Sequence, residues 1–215
     1  MTSNIPGGTM SKHSRRVAFA SVCAAVGGTA ALAPAAQAQK EVQTVAGCPP
    51  VSLEQPFTSF GDARDYVLAP GGAFEEGDAG WALEGGAAVG AGNEPWSVHG
   101  AGDASSLSLA EGASATSPPL CVDETYPILR FFRTKESEGR GRLVVHVLPA
   151  EGRGRFRAAR LVASRDEQGW ALTDDVSVAD PEGGAKGARD VVLRVTAQRG
   201  DWRVDDVYVD PRSRR

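Results

Sequence analysis

Apolar residues that recur at every second position, in short runs broken by turn residues, leave this chain few folds to adopt. In RLVVHVLP, Leu143, Val145 and Val147 share one face, and Arg142, Val144, His146 and Leu148 share the other. In RFRAARLV, Arg155 and Arg157 point away from Phe156 and Ala158. A two-residue period is the signature of a half-buried strand. Strand signals fall at 65–69, 81–84, 87–90, 96–99, 106–110, 120–122, 128–133, 143–148, 156–163, 176–178, 191–197 and 202–209, with Gly, Pro, Asp and Asn clusters between them. Beyond residue 38 no stretch keeps an apolar 3.6-residue period over ten residues. Many short strands at even spacing predict an all-β sandwich or barrel over 65–211. Residues 39–64, polar and punctuated by Pro49, Pro50 and Pro56, read as an irregular N-terminal segment.

The first 38 residues break the pattern. Lys12, Arg15 and Arg16 form a short basic region, 17–32 is apolar and uncharged, and Ala36-Gln37-Ala38 is a small-x-small cleavage pattern. This predicts a secretory signal peptide over 1–38, since the apolar run is too short to span a membrane and no stop-transfer pattern follows. Ser14-Arg15-Arg16 leaves the Sec and twin-arginine routes both open, with Phe19 one place later than the latter motif wants. The leader carries three of the 23 Lys and Arg and none of the 27 Asp and Glu, so the exported chain holds 20 basic against 27 acidic residues, a net charge of −7. That sign argues against nucleic acid as a partner. No other segment is apolar enough to span a membrane, and the expected location is secreted or cell-envelope. Arg212 to Arg215 reads as a short basic tail.

Cys23 leaves with the leader, so Cys48 and Cys121 remain. In an exported chain the simplest reading is one disulfide between them. Closing so long a loop stabilises by ~4 kcal/mol in the chain-entropy model. Two separate buried thiols are the alternative.

The order of several motifs carries a resemblance. LAPGGAFEEGDAGWALEGGAAV, with Gly71-Gly72-Ala73-Phe74-Glu75 and then Gly80-Trp81, resembles the opening of the galactose-binding-like β-sandwiches, the jelly-roll fold of many carbohydrate-binding modules. SSLSLA, ATSPPLCVDETYPILRFFRT, GRLVVHVLPAEGR and EQGWALTDDVSV resemble its middle strands, and VVLRVTAQRGDWRVDDVYVDP its last two. The resemblance implies a jelly-roll sandwich of two antiparallel sheets. It also implies a structural calcium ion held by Glu75 at the first strand and by Asp205 and Asp206 at the last. Gly71 stands where that opening usually has Asn. Calcium suits such a site because it takes six to eight hard oxygens.

Catalytic signals are weak. Glu75 and Glu76 are adjacent, so on a strand they point to opposite faces and cannot flank one glycosidic bond. No Gly-x-Ser-x-Gly occurs, and His99 and His146 lack zinc-binding spacing. Flat rings are the usual sugar platform. Trp81 and Trp202 read as core. Trp96, expected at a strand start after Asn93-Glu94-Pro95, and Trp170 are the exposed candidates. In RFFR, Arg130 and Phe132 share a face, an aromatic beside a cation. The arginines from Arg140 to Arg160 form the one basic region, read as a solvated strand face or as a grip on an anionic polymer.

The expected function is a non-catalytic exported module that binds carbohydrate or a cell-surface polymer through Trp96, Arg130, Phe132 and Trp170. A structural or adhesion protein of the envelope, without a small-ligand site, is the alternative. A hydrolase comes third.

Overall fold

The computed structural model describes residues 42–43, 47–122, 127–150, 157–163, 169–178 and 187–211, with backbone only at 42–43 and 157–163. The leader, the basic tail and the arginine side chains of 153–160 lie outside the described residues. Among those described there are fifteen strands: β1 (Val42–Gln43), β2 (Val51–Ser52), β3 (Val67–Leu68), β4 (Ala82–Glu84), β5 (Ala88–Ala91), β6 (Ser105–Leu109), β7 (Ser114–Thr116), β8 (Leu120–Val122), β9 (Ile128–Lys135), β10 (Arg142–Pro149), β11 (Arg157–Ala163), β12 (Ala171–Leu172), β13 (Val176–Ser177), β14 (Arg189–Arg199) and β15 (Trp202–Asp210).

Every strand pair is antiparallel. One sheet runs β11-β10-β14-β7-β4, with β8 also on β14. The other runs β12-β9-β15-β6-β5, with β13 on β9 and β3 on β15. From β3 onward the chain passes back and forth between the sheets, so sequence neighbours such as β9 and β10, or β14 and β15, lie in different layers. The result is a jelly-roll β-sandwich. Its core lies between the sheets. Leu129 and Phe131 of β9, Leu143 and Val145 of β10, Leu193 and Val195 of β14, and Trp202 and Val204 of β15 are all buried there. Trp81 joins them beside Phe74, as the sequence predicts.

Alternation sends the other residues of β9 outward, and they are not bare. Ile128 and Phe132 build a second apolar cluster with Tyr208 of β15 and with Phe57 and Tyr66 of the N-terminal segment. That segment is largely irregular, as its prolines dictate, apart from the β1–β2 pair and a 3-10 turn at Thr58–Phe60. It lies as an aromatic cap on the outer face of the β9–β15 sheet. Cys48 is bonded to Cys121 (Cα–Cα 5.6 Å), which ties this cap to β8. Asp62 ties it to β9: its carboxylate accepts from Arg64 (2.6 and 2.8 Å), Tyr66 (2.7 Å) and Arg130 (2.7 Å).

One irregularity positions the site. Along β15 the inward residues are Trp202, Val204, Val207 and Val209, a slip of one between 204 and 207. In register terms Asp205 faces Phe132 while Tyr208 faces Arg130, three residues against two. This is a β-bulge, and Asp206 in it takes a left-handed φ of 50°. The opening segment clamps it: Ala69 donates to the Val207 carbonyl (2.8 Å) and Val207 donates to the Gly72 carbonyl (3.0 Å). The approach is so close that a Cβ on Gly72 would lie 2.8 Å from that Val207 oxygen. Gly72 is therefore required where the sequence shows only a glycine-rich stretch.

Candidate functional site

The strand expected at 96–99 is absent. Residues 92–104 between β5 and β6 form a loop, with a turn at Pro95-Trp96 and a left-handed Ser97 (φ 47°). The physical reason lies in its amides, which go to carboxylates instead of a neighbouring strand. Glu94 N–H donates to Asp205 Oδ2 (3.1 Å). Trp96 N–H donates to Glu94 Oε2, and Val98 N–H to Glu94 Oε1 (2.5 Å). His99 N–H donates to Asp206 Oδ2 (3.2 Å). Ala104 and Ser105 N–H donate to Glu75 Oε1 (2.9 and 2.7 Å). Five backbone amides of the loop and the first amide of β6 thus rest on four carboxylates.

A fifth acid completes the cluster. Glu94, Asp103 and Asp206 each bring a carboxylate oxygen within 4.8 Å of the other two. All three are buried, as is Asp205. In a regular strand adjacent Asp205 and Asp206 would point to opposite faces. The bulge turns both toward the loop. Both oxygens of Asp103 and Oδ1 of Asp206 are buried without a hydrogen-bond donor. The nearby Asn93 amide donates to the Glu94 carbonyl (2.7 Å) and acts downward on the pKa of Asp103, without outweighing burial. The ion pairs of Arg64, Arg130, Arg194 and Arg203 all lie elsewhere. Burial, reinforced by Glu75 and Glu94, pushes Asp103 up to about 7. Burial, reinforced by Asp103 and Glu94 against two amide donors, pushes Asp205 up to about 8. Burial and the charges of Asp205, Asp103 and Glu94 push Asp206 up to about 9. Like charges forced together out of water resist ionisation. A cation of matching chemistry would relieve them.

The sequence-based metal set is Glu75, Asp205 and Asp206. The structure brings all three to this region but gives them different places. Asp206 belongs to the central trio. Asp205 has both oxygens engaged by the amides of Glu94 and Asp206. Glu75 is exposed at the rim, and although burial acts upward on it, the amides of Ala104 and Ser105 hold its pKa below the usual carboxylate range. Glu94 and Asp103 were missed, because before Pro95 and within Gly-Ala-Gly-Asp they read as polar loop residues. The donor set is all hard oxygen, which fits calcium.

Against this loop stands the aromatic cluster. The Trp96 ring stacks on Phe132 (centroids 5.2 Å, planes 28° apart) and meets the edge of Phe60 (5.0 Å, 84°). Phe60 in turn meets Phe132 (5.3 Å), which meets Phe57 (5.9 Å). Trp96 is 47% exposed, the one large hydrophobic residue in that state among the described residues. Trp170 is half-buried against the same cluster. The four ligand candidates therefore converge on one outer sheet face, but two change role. Phe132 is fully buried beneath Trp96, because the N-terminal aromatics cover the face that alternation alone would expose. Arg130 is committed to Asp62 and to the Thr173 carbonyl (2.7 and 3.0 Å), with its guanidinium 5.5 Å over the Phe57 ring. Phe132 is thus a support and Arg130 a strut, and Trp96 is the presented surface. Elsewhere, His146 lies half-buried on β10, its pKa lowered by burial and by Arg194, as suits a strand residue.

No protein-family model matches this sequence, and no curated protein matches it. Among solved structures, the CBM22-1–GH10 modules of a Clostridium thermocellum xylanase align with 68% of the chain at 16% identity and a TM-score of 0.44, and the chain spans 27% of that protein's length. The CBM22-1 xylan-binding domain of Paenibacillus barcinonensis Xyn10C aligns with 66% of the chain and 92% of its own length at 16% identity (TM-score 0.43). An adhesin domain of Lys-gingipain from Porphyromonas gingivalis aligns with 66% of the chain and 96% of its own length at 12% identity (TM-score 0.43). The sandwich itself rests on the strand pairing described above. No helix among the described residues is long and apolar enough to cross a membrane.

Proposed function

We propose that this protein is an exported, non-catalytic module that binds carbohydrate or a carbohydrate-bearing cell-surface polymer through Trp96. One observation carries the reading: an indole 47% exposed yet held in orientation by two rings and by its own backbone amide on Glu94. A large flat apolar ring offers a stacking surface to the apolar face of a sugar at little conformational cost, because its rotamer is already fixed. Trp170 flanks it. The disulfide supports export, since such bonds persist in oxidising compartments.

The same reading includes a structural calcium ion. Glu94, Asp103 and Asp206 would hold it, with Asp205 and Glu75 around them. The ion would neutralise acids that otherwise resist ionisation. Because it would bind the native state and not the unfolded chain, it would raise the melting temperature.

A glycan array probed with the protein and with Trp96→Ala tests the binding reading. Binding to a subset of glycans, lost in Trp96→Ala without a change in melting temperature, is the expected result. Silence on every glycan, with retention on whole envelopes or on a protein partner, would replace it with the adhesion reading.

A further inference from the structure

Glu94 belongs to two systems at once. One oxygen lies within 4.8 Å of carboxylate oxygens of Asp103 and Asp206. Both of its oxygens accept from the backbone on either side of the presented indole, at Trp96 and Val98. Its own amide is held by Asp205, and the next step of the loop, His99, is held by Asp206. The loop that carries Trp96 therefore has its backbone fastened to the carboxylates that surround the trio. Asp206, fully buried and with an oxygen that no donor among the described residues reaches, is the second observation that points to a cation there.

We infer that a divalent cation in the trio and the orientation of Trp96 are coupled through Glu94, so that calcium pre-forms the Trp96 platform. The inference rests on the calcium part of the proposed function but not on any particular ligand. With the cation bound, Glu94 is held in place, and its two acceptor oxygens hold the amides of residues 96 and 98. With it removed, three crowded acids repel, Glu94 is free to turn away, and Trp96 loses its backbone anchor while keeping only its ring contacts. By linkage, whatever binds Trp96 must tighten calcium binding by the same factor as calcium tightens its own, typically about 5-fold or more when two sites are coupled.

Calcium alone is the probe. The protein is titrated with calcium against a chelator, following the melting temperature and, separately, acrylamide quenching of tryptophan fluorescence. Trp81 and Trp202 are buried and Trp170 is half-buried, so Trp96 is the most accessible of the four indoles, and the part of the change that Trp96→Phe removes is its own. Calcium is expected to raise the melting temperature and to cut quenching severalfold. Trp96→Phe should keep the melting shift and lose the quenching change. Glu94→Gln should lose the quenching change. Asp103→Asn, which removes a trio member but no amide acceptor, should lose both responses while folding normally without calcium. A melting shift with no change in quenching overturns the coupling and leaves the cation reading standing. A quenching change that persists in Trp96→Phe also overturns it. No response to calcium in either measurement overturns coupling and cation together. Because no sugar is used, a silent glycan array does not affect any of these outcomes.

Discussion

Trp96 and Phe132 share one ring stack at opposite exposures, so Trp96 alone of the two offers a ring face to solvent. Residue chemistry also decides how the cap is held. Burial acts upward on the Asp62 carboxylate, but hydrogen bonds from Arg64, Tyr66 and Arg130 outweigh it and hold its pKa far below the usual carboxylate range. A group depressed in the folded state stabilises above its unfolded pKa of about 3.9 and loses that contribution as pH falls. The melting temperature of the protein should therefore exceed that of Asp62→Asn at pH 6, and the gap should close progressively on going from about pH 5 toward pH 2. A gap that does not depend on pH would show that the network holds Asp62 by geometry rather than by charge. Arg64 and Arg130 give no sequence signal of this role, because their partner lies in a segment that reads as irregular.

At the scale of elements, alternation located most of the strands, since period two is a local property of the side chains. Residues 143–148, 191–197 and 202–209 all fall within strands of the structure. The short strands β7 (Ser114–Thr116) and β12 (Ala171–Leu172) fall outside the sequence signals, and two features of the site escaped for a common reason: their backbones pair with something other than a neighbouring strand. The loop 92–104 spends its amides on carboxylates from β15 and from the opening segment, and no pattern within Asn93-Glu94-Pro95-Trp96 reports that. The bulge in β15 is visible only as an apolar phase slip between Val204 and Val207, easily taken for ordinary variation. The glycine-rich opening turns out to clamp that bulge through the backbone of Ala69 and Gly72. Gly72→Ala should accordingly cost about 1–3 kcal/mol by chemical denaturation, because its Cβ collides with the Val207 carbonyl. It should also weaken any response to calcium, since it displaces the backbone that carries Asp206. Stability within ~0.5 kcal/mol of the parent would mean the clamp yields without cost.

For the whole molecule, the sandwich supplies a rigid sheet, and the N-terminal segment converts one of its outer faces from a bare surface into a closed aromatic cluster. The disulfide and the Asp62 network fasten that segment at two points. What remains outside is one indole on a loop pinned by acids. Fold class, the disulfide pair and the exposed tryptophan were legible in the sequence, because each depends on local pattern or on counting. Of the buried acid trio, only Asp206 was legible in the sequence. The fate of Arg130 and Phe132 was not, because it depends on which segment lies over the sheet. The central claim is that Trp96 is the binding surface, and indole N–H resonances test it directly. The chain has four tryptophans, and Trp96→Phe assigns the resonance of interest by its loss. On titration with a glycan that the array selects, the Trp96 indole should shift saturably while Trp81 and Trp202 stay in place. Saturable binding that moves another indole and leaves Trp96 unchanged would contradict the account.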